Sequence, residues 1–207
     1  MFAVIFEVRP KRARWDDYLN YAKTLKPELE KIDGFIDNER FGSKRREGWL
    51  LSLSTWRDEK ALVRWRTHGL HHTVQEKGRF EVFEDYHLRV GEISADSKSP
   101  EGAELPQQRF DATQTGAATI VTIAEGRSLV ADAPEPDRAG LVDSDLFESI
   151  YAPGKFLLLQ SWRDAQAADS APASGHGMDR HRRVRVIRDY GMFDRGEAPQ
   201  YYPPVAR

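Results

Sequence analysis

Residues 48–93 read GWLLSLSTWRDEKALVRWRTHGLHHTVQEKGRFEVFEDYHLRVGEI, and the fold is decided there. From Trp49 to Trp56 residues alternate: Trp49, Leu51, Leu53 and Thr55 share one face, Ser52 and Ser54 the other, as in a half-buried strand. Trp56-Arg57-Asp58 closes the strand, with Asp58 placed to cap a following helix. Leu62, Trp65, His68 or Gly69, and His72 then recur at helical spacing. Gly78 is expected to stop the helix. Phe80, Val82, Tyr86, Leu88 and Val90 are expected to alternate along a closing strand, interrupted by Glu84.

A weaker version of this unit returns about a hundred residues later. Phe156-Leu-Leu-Leu-Gln-Ser-Trp162-Arg163-Asp164 repeats the strand and its Trp-Arg-Asp ending, and Asp189-Tyr190 answers Asp85-Tyr86. Asp58 and Asp85 are 27 positions apart, Asp164 and Asp189 are 25 apart. Two landmarks in the same order at nearly the same separation indicate a duplicated unit.

Working outward, Phe2 to Val8 alternates as a first strand ending at Pro10. Trp15, Tyr18, Leu19, Ala22, Leu25, Leu29 and Ile32 form one helical stripe, with a kink or break expected near Thr24 because Pro27 lies inside it. Gly34 ends this segment. Phe35 to Phe41 is a second strand, and Gly42 to Gly48 a hairpin loop whose Lys44-Arg45-Arg46 reads as a solvated turn. The order β-α-β-β-α-β is the ferredoxin-like arrangement, an antiparallel sheet with helices on one side. In the second half, Ala118 to Ala124, Leu146 to Tyr151 and Phe156 to Trp162 are strands, and Val184, Val186 and Ile187 lead into a last one. Pro134, Pro136 and Gly140 preclude a long helix between Arg127 and Asp145. Ala165 to Ser170 allows a short helix before Ala171-Pro-Ala-Ser-Gly175. The expected division is a first ferredoxin-like unit over 1–94, a linker over 95–116, a degenerate second unit over 117–196 and a tail over 197–207. The fold class is therefore α+β, two tandem ferredoxin-like units.

Composition narrows the function classes. The 207 residues carry 31 basic and 33 acidic side chains, a formal charge of −2, which gives no electrostatic case for nucleic acid. No apolar run approaches membrane-spanning length, and Met1 to Val8 reads as a strand and not a signal peptide. The absence of cysteine excludes disulfides and thiolate chemistry and fits a cytoplasmic protein. No Gly-rich phosphate loop, nucleophile elbow or dinucleotide fingerprint is present.

The candidates for chemistry cluster in the first half. On one continuous helix His68 and His72 are i and i+4, beside Trp65 one turn earlier, a stripe able to line a pocket. Two histidines without a placed carboxylate leave a metal site incomplete. A histidine that moves protons or binds haem iron competes with surface histidines of no chemical role. Asp85 and Asp189 are expected to face away from their neighbouring tyrosines, toward solvent or an arginine such as Arg89 or Arg188. A cofactor-free oxygenase needs only a dry aromatic pocket and one base, and leaves little motif behind.

The chain resembles the antibiotic biosynthesis monooxygenase family of the dimeric α+β barrel superfamily. The resemblance rests on Leu25-Lys-Pro-Glu-Leu29 leading to Gly34-Phe35, on Ser54-Thr-Trp56-Arg57-Asp58, on Trp65 and His71-His72, and on Gly78-Arg79 followed by Asp85-Tyr86. It covers residues 1–93 well and 118–195 weakly. It implies two units closing a dimeric α+β barrel within one chain, a further homodimer being left open. It also implies a pocket between sheet and helices and cofactor-independent oxygenation of a small aromatic or phenolic molecule. On that reading His72 or His68 is the base, and Trp65, His71, Phe83 and Tyr86 contact the substrate. The alternatives are haem, bound or degraded, or a small ligand bound without turnover by the same fold. The haem branch expects a histidine ten residues after the tryptophan, where this chain has Gln75, and an asparagine on the first strand, where Glu7 stands; His71 or His72 is left as an axial ligand.

Overall fold

The computed structural model describes residues 1–101, 103, 105–127, 139–170 and 178–206. The first half supplies β1 (Phe2–Pro10), α1 (Trp15–Leu29), β2 (Phe35–Ser43), β3 (Leu50–Trp56), α2 (Glu59–Arg66), α3 (Gly69–Lys77) and β4 (Phe83–Asp96). The second supplies β5 (Ile120–Gly126), β6 (Leu141–Ser149), β7 (Phe156–Trp162), α4 (Ala165–Ser170) and β8 (Arg180–Gly191). All neighbouring strands are antiparallel and close one barrel in the order β1-β3-β2-β6-β7-β5-β8-β4. Closure removes the free edges that a lone four-stranded sheet would present. One chain suffices for it.

The two halves share pairing order and register. Phe2 faces Trp56 and Glu7 faces Leu51 across β1–β3; Ile120 faces Trp162 and Glu125 faces Leu157 across β5–β7. The register of β2 on β3 slips between Phe35 and Asp37, and that of β6 on β7 slips between Leu141 and Asp143. Gly34 and Gly140, with φ of 90° and 85°, precede these bulges, and each would drive a Cβ into an alanine, Ala61 or Ala167. Asp58 and Asp164 cap α2 and α4 by accepting from the amides of Ala61 and Ala167, each at 2.8 Å. Each of these last pairs is 106 residues apart.

Inward-facing side chains from both halves fill the barrel: Ala3, Ile5, Leu51 and Leu53 pack with Val121, Ile123, Leu157 and Leu159. The next inward position on β1 and β5 is an acid. Buried Glu7 pairs with Arg89 and Arg46, and Arg46 also reaches Asp145 at 2.8 Å. Buried Glu125 pairs with Arg182 and, at 3.1 Å, with Lys155, which also pairs with Glu39. Each cluster joins the two halves, and losing one partner would strand a charge in the interior.

Four local expectations need correction. The helix α1 runs unbroken through Pro27, whose missing donor falls in the last turn. The second helical segment breaks at Thr67-His68, where His68 takes an extended backbone (φ −63°, ψ 127°), so His68 and His72 do not share a helix face. Gly78 does not stop α3: the chain continues as a wide π turn over Gly78–Val82, holding Phe80 and Val82 out of the closing strand. The basic turn is solvated at Lys44 and Arg45, which make exposed pairs with Glu148 and Asp143 on β6, but not at Arg46, which is half-buried against Asp145.

The segment after β4 is also pinned: the Thr113 amide donates to the Val186 carbonyl at 3.0 Å, and Arg109 pairs with Glu59 at 2.6 Å. The connection from β5 to β6 has 14 residues against 24 between β1 and β2. Pro134, Pro136 and the stretch Ala171 to Gly175 lie outside the described residues. No helix among the described residues is long and apolar enough to cross a membrane.

Candidate functional site

Because β1 alternates, Val4 and Phe6 point out of the barrel on the side opposite Ile5, toward the helices. They share that surface with Asn38, Arg40, Ser52, Ser54, Leu88 and Val90. Helix α1 lays Tyr18, Ala22, Leu25 and Leu29 over it, and α2 adds Leu62 and Trp65. Between sheet and helices lies a cavity of about 220 Å³, closed at one end by the C-terminal segment through Arg195, Pro199, Gln200 and Tyr202. Phe83 meets Phe6, Tyr18 and Tyr86 with ring centroids 5.8, 6.1 and 6.1 Å apart. Gly78 is needed here, since a Cβ on it would stand 2.5 Å from the Phe83 ring.

Trp65, His71, Phe83 and Tyr86 all reach the cavity wall. His71 stacks on Trp65 at 4.1 Å between ring centroids, and its Nδ1 lies 2.9 Å from the Trp65 carbonyl. A carbonyl only accepts, so Nδ1 carries the proton and Nε2 keeps its lone pair. Burial lowers the His71 pKa to about 4, with His68 and His72 nearby acting in the same direction, so the ring is neutral near pH 7.

His68 and His72 lie off this wall, because the helix break rotates them away. His68 Nε2 is 4.0 Å from Glu28, and exposed His72 faces the tail, its Nδ1 3.2 Å from the Tyr202 hydroxyl. Neither aspartate beside the repeated tyrosines pairs with an arginine expected from the sequence. The Asp85 carboxylate accepts from the Tyr86 amide, and Asp189 pairs with His87 at 2.5 Å.

The cavity is cationic. Arg40, Arg66, Arg79, Arg188 and Arg195 line it, and the one lining carboxylate among the described residues, Glu59, is already paired with Arg109. The Tyr86 hydroxyl accepts from Arg79 at 3.2 Å and Arg195 at 2.6 Å, leaving its own proton for a ligand. Tyr190, on the same wall, is pushed up to about 12 by burial and by Tyr86. Sequence reading missed the arginines and the tail. Their signal is positional: at 106 residues' offset Arg40 and Ser52 correspond to Leu146 and Leu158.

The model of the family described as antibiotic biosynthesis monooxygenase matches residues 1–77. A protein of Pyricularia oryzae named jasmonate monooxygenase ABM is 47% identical over 221 aligned residues, spanning all of both chains. The chain belongs to the antibiotic biosynthesis monooxygenase family. Among solved structures, an aldoxime dehydratase in complex with butyraldoxime aligns over 90% of this chain and 79% of its own. Its identity is 10% and its TM-score 0.54, a likeness of fold. An anthrone oxidase-like protein aligns over 96% of both chains at 14% identity, with a TM-score of 0.34. The family match covers β1 through α3, the segment that builds the sheet floor and helical roof of the cavity.

For haem the fit is poor. Cofactor and drug-sized pockets span roughly 300–1,000 Å³, and this cavity is about 220 Å³. The wall presents one imidazole among the described residues, His71, held flat against Trp65, and Gln75 stands where the haem branch has its histidine. Glu7 faces the barrel interior and not the cavity. Among the described residues no group of three His, Asp or Glu is arranged to hold a metal ion.

Proposed function

We propose that this protein is a monooxygenase that inserts one atom of dioxygen into a small amphipathic organic acid held in the first half's cavity. The observation that carries this is a small, largely apolar cavity lined by five arginines, none of them in an ion pair with a carboxylate among the described residues. The 47% identical relative named for jasmonate supports the choice of a jasmonate-like carboxylic acid over the phenol that the family resemblance implies. Phenol and carboxylic acid share an acidic group whose anion a guanidinium stabilises. Trp65, Phe83 and Tyr86 would shape the site. Neutral His71 would be the imidazole that meets substrate, with Nε2 as acceptor, in place of His68 or His72.

The reading includes no resident cofactor, so the substrate or an external donor supplies the electrons that reduce the second oxygen atom. The test is turnover of jasmonate and of a phenol panel under ¹⁸O₂, with and without reduced nicotinamide. The expected result is a product carrying one ¹⁸O from jasmonate. No labelled product under any of these conditions overturns the reading. Haem titration is expected to give no Soret shift dependent on His71.

The matched registers, bulges, glycines and caps further support descent of both halves from one duplicated unit, the first keeping the cavity. Under this reading the second half is mainly structural, lending Arg188, Tyr190 and Arg195 to the cavity wall.

A further inference from the structure

We infer that Arg40, flanked by Tyr18 and oriented by Asn38, is the anchor for the carboxylate of the substrate. This rests on the proposed function for the identity of the acid and adds the residue that selects it.

Arg40 stands on β2 in the cavity floor and takes part in no ion pair among the described residues. One terminal nitrogen donates to Asn38 Oδ1 at 3.0 Å, while Nε is sealed from solvent with no partner. The amide of Asn38 is itself fixed, since its Nδ2 donates to Ser52 Oγ and to the Leu53 carbonyl, both at 3.0 Å. The phenols of Tyr18 and Tyr151 flank the guanidinium. Tyr18 is 6% exposed and lines the cavity, its hydroxyl sealed from solvent beside the guanidinium. Burial holds its pKa above the ordinary value, so it stays a donor. An obligate cation with no counter-charge among the described residues, set in the wall of a largely apolar cavity, describes a site for an anion.

The fold does not require the charge. The equivalent position in the second half is Leu146, packed on Ala124, Phe156, Leu158 and Met178. Half-burying a guanidinium without a counter-charge costs free energy that leucine avoids, and a bound carboxylate offsets that cost. Arg66 also has an unpartnered Nε, but it lies in the last turn of α2, where basic residues serve the helix C-terminus.

The experiment compares binding of acids and their methyl esters, using jasmonate and octanoate, by calorimetry on the full chain. Wild type is expected to prefer each acid by roughly tenfold to a hundredfold, the range for a hydrogen bond to a charged group. Arg40→Leu and Arg40→Gln are expected to abolish the preference while leaving ester affinity within about threefold, and Arg40→Lys to retain part of it, charge without the planar fork. Unchanged acid preference in whichever of the Leu and Gln variants folds overturns the assignment. Because binding is read apart from turnover, an Arg40-dependent preference without oxygenation sustains the anchor while the monooxygenase reading falls. Oxygenation of jasmonate with an acid preference indifferent to Arg40 does the reverse.

Discussion

Seen from outside the barrel, the two halves differ most where their interiors agree most. Leu51 and Leu53 match Leu157 and Leu159 in the shared core, and Glu7 matches Glu125. On the outer face of the same strands, Asn38, Arg40 and Ser52 in the first half correspond to Ser144, Leu146 and Leu158 in the second. The first face lies under three helices and a tail that enclose a cavity; the second gathers a small apolar cluster beside α4. Scaffold demands are written inward; on the proposed reading, ligand demands are written outward. A residue that breaks the correspondence on the outer face is therefore a better guide to function than one that keeps it.

The scaffold side of this contrast is broken most severely by paired tryptophan deletions. Trp56 and Trp162 are each 1% exposed, and each indole donates to a hydroxyl, Ser54 or Thr122, at 2.9 Å. Trp56→Ala and Trp162→Ala are each expected to cost about 3–5 kcal/mol in denaturant unfolding. A large loss at only one would mean the halves are not built alike.

His71 sharpens the cavity side. With its pKa lowered from about 6.5 unfolded to about 4 folded, the unfolded chain binds a proton that the folded chain refuses between those values. Stability should fall as pH drops from about 6.5 to about 4, by up to about 3 kcal/mol, and stay level above that window. Unfolding curves across pH should show this slope in wild type and a flatter one in His71→Gln.

The glycine pair comes next. Gly34→Ala and Gly140→Ala both place a side chain at positive φ against an alanine, and each should lower stability by about 1–3 kcal/mol. Smallest are the caps: Asp58→Ala and Asp164→Ala should each cost about 1 kcal/mol by thermal unfolding. Only Asp58→Ala should also reduce turnover, because α2 carries Trp65 into the cavity wall.

Much of the barrel was legible in the chain. The Trp-Arg-Asp ending marked the same strand-to-cap junction twice, and alternation located β1, β3 and the body of β4. What misled was local. Helical periodicity carries His68 and His72 onto one face only if the helix is continuous through Gly69, and an extended residue at 68 turns them apart. Phe80 and Val82 kept the strand period but fall in a π turn, which leaves no simple periodic signature. Arg46 reads as solvated in a basic run because its partners, Glu7 and Asp145, are remote in sequence. Arg40 was silent for the same reason: its meaning comes from Tyr18 on a helix and from Leu146 in the other half.

The account turns on one half holding the ligand, and a crystal structure of the full chain with jasmonate bound tests that most directly. The predicted result is ligand density between α1, α2, α3 and the outer face of β1, β3 and β2, with the carboxylate on Arg40 and the carbon skeleton against Trp65 and Phe83. Density on the outer face of β5, β7 and β6, or a carboxylate remote from Arg40, would contradict it.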